Sequence, residues 1–98
     1  MYILKCNDGT YYVGSTTSLE SRVYQHQQGL GAIYTSRRLP VELVYCEEYP
    51  TISMAFAREK QVQGWCRKKR EALILGEYQN LPELSRKGFV KNKKEKDG

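Results

Sequence analysis

Apolar and polar positions along the chain change period several times, and each change marks a predicted element. Two short apolar and aromatic runs, residues 2–6 and 11–14, flank Asn7-Asp8-Gly9. Asp-Gly between β-favouring runs predicts a hairpin, because Gly accepts the positive φ that such a turn needs. Ser15-Thr16-Thr17-Ser18 then supplies helix N-cap candidates. Residues 19–28 read as a helix with Leu19 and Val23 as a short apolar seam, stopped by Gly29 and Gly31. Residues 29–38 read as a loop. After Pro40, residues 41–47 alternate and predict a third strand with Val41, Leu43 and Tyr45 on one face. The longest predicted helix covers 51–67, and a short one at 71–75 ends at Gly76. Residues 78–89 read as a capping segment.

The order β-β-α-β-α-α predicts an α/β (α+β) sandwich: a small three-stranded antiparallel or mixed sheet flanked by helices. A chain of 98 residues suits one domain with a modest core. That domain spans 1–84, and the lysine-rich residues 85–98 form a basic, disordered tail.

Two places depart from simple amphipathic patterning. In the first helix, Arg22 and His26 lie about 40° apart beside the apolar seam. They put a permanent cation and the chain's one imidazole on one face; a solvent-facing pair would have the same spacing. In the longest helix, Ala55, Val62 and Cys66 form an apolar stripe that Phe56 closes, and Glu59 stands inside it. A carboxylate there costs desolvation energy unless it is paired or binds something. Arg22, a metal ion or an escape to the wet stripe edge would each relieve it.

Charge widens the picture. A net charge of +5 favours polyanionic partners, nucleic acid foremost, although a solvated surface with a basic tail gives the same figure. Arg37 and Arg38, with Tyr34 and Thr35, are candidate phosphate donors in the loop. Arg67-Lys68-Lys69-Arg70 beside Trp65 can grip a nucleic-acid backbone or form a solvated helix junction. Three widely spaced cysteines and one His give neither a disulfide framework nor a zinc pattern. Buried reduced thiols in a cytoplasmic protein are expected. No secretory signal precedes the first strand, and no apolar run approaches the roughly 18 residues of a membrane span. No membrane association and no haem, flavin or nucleotide cofactor is expected.

The same residues resemble the GIY-YIG nuclease family, and in particular its small stand-alone bacterial proteins. Met1-Tyr2-Ile3 stands for the first motif and Tyr12-Val13-Gly14 for the second. Arg22 follows Tyr12 by ten residues, at the place of the family's arginine, and His26 comes one helical turn later. Glu59 stands where the family has its metal-binding glutamate. The run from Gly31 to Tyr45 is also similar to the small-protein subgroup. Ser15 occupies the place of a lysine found in some members, and no Asn follows Glu59 before Gln79.

What the resemblance implies is hydrolysis of DNA, more than RNA, by an activated water with one divalent ion, Mg²⁺ or Mn²⁺. Glu59 would hold the ion, and Arg22 would offer its planar fork to the scissile phosphate. Tyr2 would deprotonate or contact the water, Tyr12 would orient it, and His26 would take or relay the proton. The alternative is a nucleic-acid-binding module of the same fold with little or no catalysis. A protein partner fits either.

Overall fold

The computed structural model describes residues 1–76, in two compact units, Met1–Gly64 and a second beginning at Trp65. The expected capping segment at 78–89 and the tail at 85–98 lie outside the described residues. In the first unit, β1 (Tyr2–Lys5), β2 (Tyr11–Gly14), α1 (Leu19–Gln27), α2 (Ile33–Ser36), β3 (Glu42–Cys46) and α3 (Ile52–Gln63) follow in order; the second carries α4 (Arg67–Leu75).

The hairpin forms where Asp-Gly directs it. Gly9 takes φ +83°, its N–H donates to the Cys6 carbonyl at 2.9 Å, and Cys6 N–H donates to the Thr10 carbonyl at 2.8 Å. Asp8 Oδ1 closes the turn by accepting from the Thr10 amide and, at 2.6 Å, from its hydroxyl. The sheet order is β2-β1-β3, and both pairings are antiparallel, which decides between the antiparallel and mixed alternatives.

Alternation along β1 sends its side chains to two cores. Tyr2, Leu4 and Cys6 join Val41, and Tyr12, Leu19 and Val23 pack against them, so the predicted α1 seam covers this face. Ile3 pairs with Val13 across the ladder, and both are buried. Helix α3 packs against β2 and buries Ala55 and Val62. A fully buried Leu or Ile side chain contributes about 1.5–3 kcal/mol, and Ile3 and Leu4 are both 0% exposed. Strand β1 is therefore the anchor of the unit.

Four expectations are corrected. The loop at 29–38 contains the helical turn α2, so the order is β-β-α-α-β-α-α. Strand β3 does not present Val41, Leu43 and Tyr45 on one face, because its register with β1 shifts between Ile3 and Leu4. Ile3 pairs with Tyr45 and Leu4 with Leu43, so Val44 is passed over; only Val41 is buried. Helix α3 ends at Gln63, with Gly64 as its C-cap. Cys66 is thereby removed from the stripe to the N-cap of α4, and Phe56 is exposed. Of the three free thiols, only Cys6 is buried; Cys46 and Cys66 are exposed.

The inward position on α3 that the apolar pattern missed belongs to Arg58. It is 8% exposed and grips Glu47 with two hydrogen bonds, Nε to Oε1 at 2.9 Å and Nη2 to Oε2 at 3.0 Å. The Tyr45 and Tyr49 hydroxyls each donate to the same carboxylate at 2.6 Å. Burial pushes the Glu47 carboxyl up, but Arg58 and the two phenols outweigh it and hold the group below its ordinary value.

In the second unit, Gly76 closes α4 in the left-handed region at φ +78°. The four-cation run begins the helix itself rather than a junction before it. No helix among the described residues is long and apolar enough to cross a membrane.

Candidate active site

Tyr2 stands at the start of β1 opposite Gly14, the last residue of β2. A Cβ on Gly14 would lie 2.5 Å from the Tyr2 phenol oxygen and 2.6 Å from Cζ. The glycine of the second motif is thus the floor under the tyrosine of the first. Leu4 faces Tyr12 two residues along, so both tyrosines share a sheet face, with ring centroids 6.4 Å apart.

Helix α1 brings His26 between them. Its ring centroid is 5.7 Å from that of Tyr2 and 5.0 Å from that of Tyr12. The Tyr2 hydroxyl and His26 Nε2 are 2.9 Å apart, and both residues are buried. His26 Nδ1 lies 2.8 Å from the Thr35 hydroxyl, which donates to the Ala32 carbonyl at 3.2 Å. Gly31 makes the room on this side: a Cβ there would come within 2.7 Å of the ring's Cε1.

Burial lowers the pKa of His26, and the nearby Arg22 charge adds to the effect, so the ring is neutral at pH 7. Tyr2 is raised, chiefly by burial; Arg22 pulls its phenol down and Glu59 pushes it up without reversing the result. Tyr2 is therefore a neutral phenol, and the hydrogen-bonded base beside it is His26. Arg22 is oriented by two acceptors, Gln25 Oε1 and the Gly31 carbonyl, each at 3.1 Å.

Glu59 reaches the site from α3. It pairs with neutral donors rather than with Arg22: Ser15 Oγ donates to Oε1 at 2.6 Å and Gln63 Nε2 to Oε2 at 2.7 Å. Gln63 also reaches the Val13 carbonyl at 3.2 Å, tying α3 to β2. Lys60 Nζ stands 3.8 Å off, on an exposed side chain. Both carboxylate oxygens lie in a polar setting and retain further lone pairs.

All five residues chosen from the sequence as the catalytic set, Tyr2, Tyr12, Arg22, His26 and Glu59, belong to the first unit. Tyr2, Tyr12 and His26 are in contact, and the charges of Arg22 and Glu59 both act on the Tyr2 phenol. The loop cations are less uniform. Arg38 is engaged by Asp8 at 3.0 Å, by the Tyr34 carbonyl at 2.9 Å and by the Tyr34 ring at 3.7 Å. Tyr34 in turn stacks on Tyr12, with centroids 6.2 Å apart. Arg38 thus braces Tyr34 and, through it, Tyr12, whereas Arg37 is exposed. Arg67, Lys68, Lys69 and Arg70 lie in the second unit, where Arg67 pairs with Glu71 and Lys69 covers the Trp65 ring.

Thr35, read from the sequence as a phosphate donor, is buried against His26. Gly31 and Gln63 were not chosen at all. Gly31 reads only as a helix stop and as the start of the run similar to the small-protein subgroup, and Gln63 is an amide one turn after Glu59; neither signal is specific to a site.

A three-stranded antiparallel sheet with paired tyrosines, a helix-borne Arg and His, and a glutamate from the following helix define a nuclease-type domain. The family profile described as the GIY-YIG catalytic domain matches residues 1–72, and the chain belongs to the GIY-YIG family. It is similar to a UPF0213 protein of Natronomonas pharaonis, 44% identical over 77 residues that cover 79% of this chain and 91% of that protein. A UPF0213 protein of Staphylococcus epidermidis is 45% identical over 74 residues, covering 76% and 90%. The solution NMR structure of a UPF0213 protein from Bacillus halodurans is 39% identical, covers 86% of this chain and 93% of that one, and has a TM-score of 0.49.

Proposed function

We propose that the protein is a metal-dependent endonuclease that hydrolyses DNA phosphodiester bonds with an activated water. The observation that carries this reading is the buried 2.9 Å contact between the Tyr2 hydroxyl and His26 Nε2. A phenol held above its ordinary pKa is a poor base alone, but it can pass a proton on while receiving one.

In the proposed step, Tyr2 takes a proton from the attacking water as its own proton moves to His26 Nε2. The water oxygen forms a bond to phosphorus, the bond from phosphorus to the leaving oxygen breaks, and that oxygen takes a proton from solvent. Arg22, already directed by Gln25 and the Gly31 carbonyl, offers its guanidinium to the charge that grows on the phosphoryl oxygens. Tyr12, braced by Tyr34 and Arg38, forms the wall beside the reacting group. Tyr2 exposes only 1% of its surface. A water reaches its hydroxyl only when the groups around it shift, Arg22 among them.

Glu59 suits Mg²⁺ or Mn²⁺, because its hydrogen-bond partners are neutral and one carboxylate with waters and phosphate satisfies a hard cation. Such an ion, when bound, supplies Lewis-acid polarisation of the phosphoryl group. Arg37 and the basic turn of α4 are the proposed contacts to the nucleic-acid backbone. With so small a unit there is little surface for base readout, which favours recognition by substrate shape or with a protein partner.

The test is cleavage of single-stranded, duplex and branched DNA with Mg²⁺ and with Mn²⁺, using Glu59→Ala and Arg22→Ala as controls. Cleavage lost in both variants while the fold persists supports the reading. Undiminished cleavage by Glu59→Ala removes the metal role. Binding without cleavage by the wild type on every substrate favours a binding module.

A further inference from the structure

Thr35 sits on the side of His26 away from Tyr2, and it is 0% exposed. The four groups form a row: Tyr2 hydroxyl, His26 Nε2, His26 Nδ1 and Thr35 hydroxyl, ending at the Ala32 carbonyl. A neutral imidazole has one proton to place, and each hydroxyl has one hydrogen to donate.

With the ring proton on Nδ1, the row fills in one direction. Tyr2 O–H donates to Nε2, Nδ1–H donates to Thr35 Oγ1, and Thr35 O–H donates to the Ala32 carbonyl. Three contacts receive three hydrogens. With the ring proton on Nε2, Thr35 must turn its hydrogen toward Nδ1, and the 3.2 Å contact to Ala32 becomes two oxygens with no hydrogen between them. The Tyr2 hydroxyl then accepts from His26, and its own hydrogen has no acceptor among the described residues. Buried donors without partners are strongly disfavoured. The Ala32 carbonyl is fixed in place, since it also accepts from the Ser36 amide at 2.9 Å.

We propose that Thr35 is a positioning residue, which holds His26 as the Nδ1–H tautomer and so keeps the Nε2 lone pair aimed at the Tyr2 hydroxyl. An imidazole in the opposite tautomer presents a hydrogen to Tyr2 and cannot receive one. Gly31 completes the slot, because a Cβ there would stand 2.7 Å from the ring's Cε1 and Cγ and leave the ring no room in the row. The consequence for catalysis rests on the nuclease reading; the tautomer does not.

The experiment is long-range ¹H–¹⁵N correlation NMR of the His26 ring at neutral pH, with single-turnover DNA cleavage measured in Mn²⁺ on the same samples. Wild type, Thr35→Val and Thr35→Ser are compared. Valine keeps the shape of threonine and removes the hydroxyl; serine restores it. The wild type is expected to give the Nδ1–H pattern. Thr35→Val is expected to lose it and to cleave at least about tenfold more slowly at saturating DNA, with DNA affinity unchanged, and Thr35→Ser is expected to recover both. An Nε2–H pattern in the wild type overturns the proposal without recourse to any variant, and so does an unchanged Nδ1–H pattern in Thr35→Val. If the spectra behave as expected while the wild type cleaves no DNA, the nuclease reading fails and the role of Thr35 in setting the tautomer stands.

Discussion

Gly14 lies across the ladder from Tyr2 so closely that a single added carbon would stand 2.5 Å from the phenol oxygen. The pairing couples the two halves of the family motif: one strand offers the tyrosine, and the other leaves out the side chain that would displace it. Gly14→Ala is expected to cost about 1–3 kcal/mol of stability through overpacking. Cleavage should fall at least about a hundredfold, because a misplacement of about 1 Å at a reacting group has that effect. Urea unfolding and single-turnover kinetics on the same sample check both figures.

The neutral His26 predicts a pH dependence of defined sign. Its folded-state pKa lies below the ordinary value of 6.5 because of burial and then Arg22. The unfolded chain therefore binds more protons in mild acid, and stability rises with pH there. The stabilisation is complete above pH 6.5 and is lost as pH falls from there through the folded value. Unfolding free energies measured from pH 7.5 to 5 should decline in the wild type, with the decline reduced in His26→Gln.

Arg58 and Glu47 predict a stability effect away from the site. Removing one member of a buried pair leaves the other charge without its partner, at a cost of about 3–5 kcal/mol. Glu47 keeps two phenol donors, so Arg58→Met is expected near the lower end, about 3 kcal/mol. Denaturant titration reads it directly, and a loss below about 1 kcal/mol would show that the tyrosines alone satisfy the carboxylate.

Much of this architecture is written locally in the chain. Asp8-Gly9 specifies the hairpin, the Leu19 and Val23 seam places α1, and Gly76 ends α4, because each signal acts within a turn or two of itself. The bulge at Val44 and the turn α2 were not legible: one is set by pairing with β1, and the other is four residues long with no period to read. Arg58 was hidden for a different reason. A charge faces inward only if a partner is waiting, and its partner lies eleven residues earlier, just past the end of β3. In the site, Tyr2, Tyr12, Arg22, His26 and Glu59 could be chosen because their spacing resembles that of the GIY-YIG family; by position alone the tyrosines suit a plain hairpin and the three charged or titratable residues suit a wet surface. Thr35 could not, since a hydroxyl beside two arginines suggests a phosphate donor until the fold turns it against His26.

The basic turn of α4 predicts a salt effect. Each phosphate contact removed should lower the slope of log affinity against log salt by about 1. Lys68→Ala together with Arg70→Ala should therefore reduce the slope by up to about 2, with DNA binding followed by fluorescence anisotropy between low and moderate salt. An unchanged slope would remove this turn from the interface.

The central claim is that Tyr2 takes part in phosphodiester hydrolysis, and one comparison tests it most directly. Wild type and Tyr2→Phe are assayed under single-turnover conditions in Mn²⁺ on single-stranded, duplex and branched DNA. Loss of the hydroxyl removes the hydrogen bond to His26 and leaves the ring that packs against Leu4 and Cys6. Nuclease chemistry at Tyr2 predicts cleavage of at least one substrate by the wild type and a rate at least about a hundredfold lower in Tyr2→Phe, with DNA affinity unchanged. Equal rates for the two proteins would contradict it.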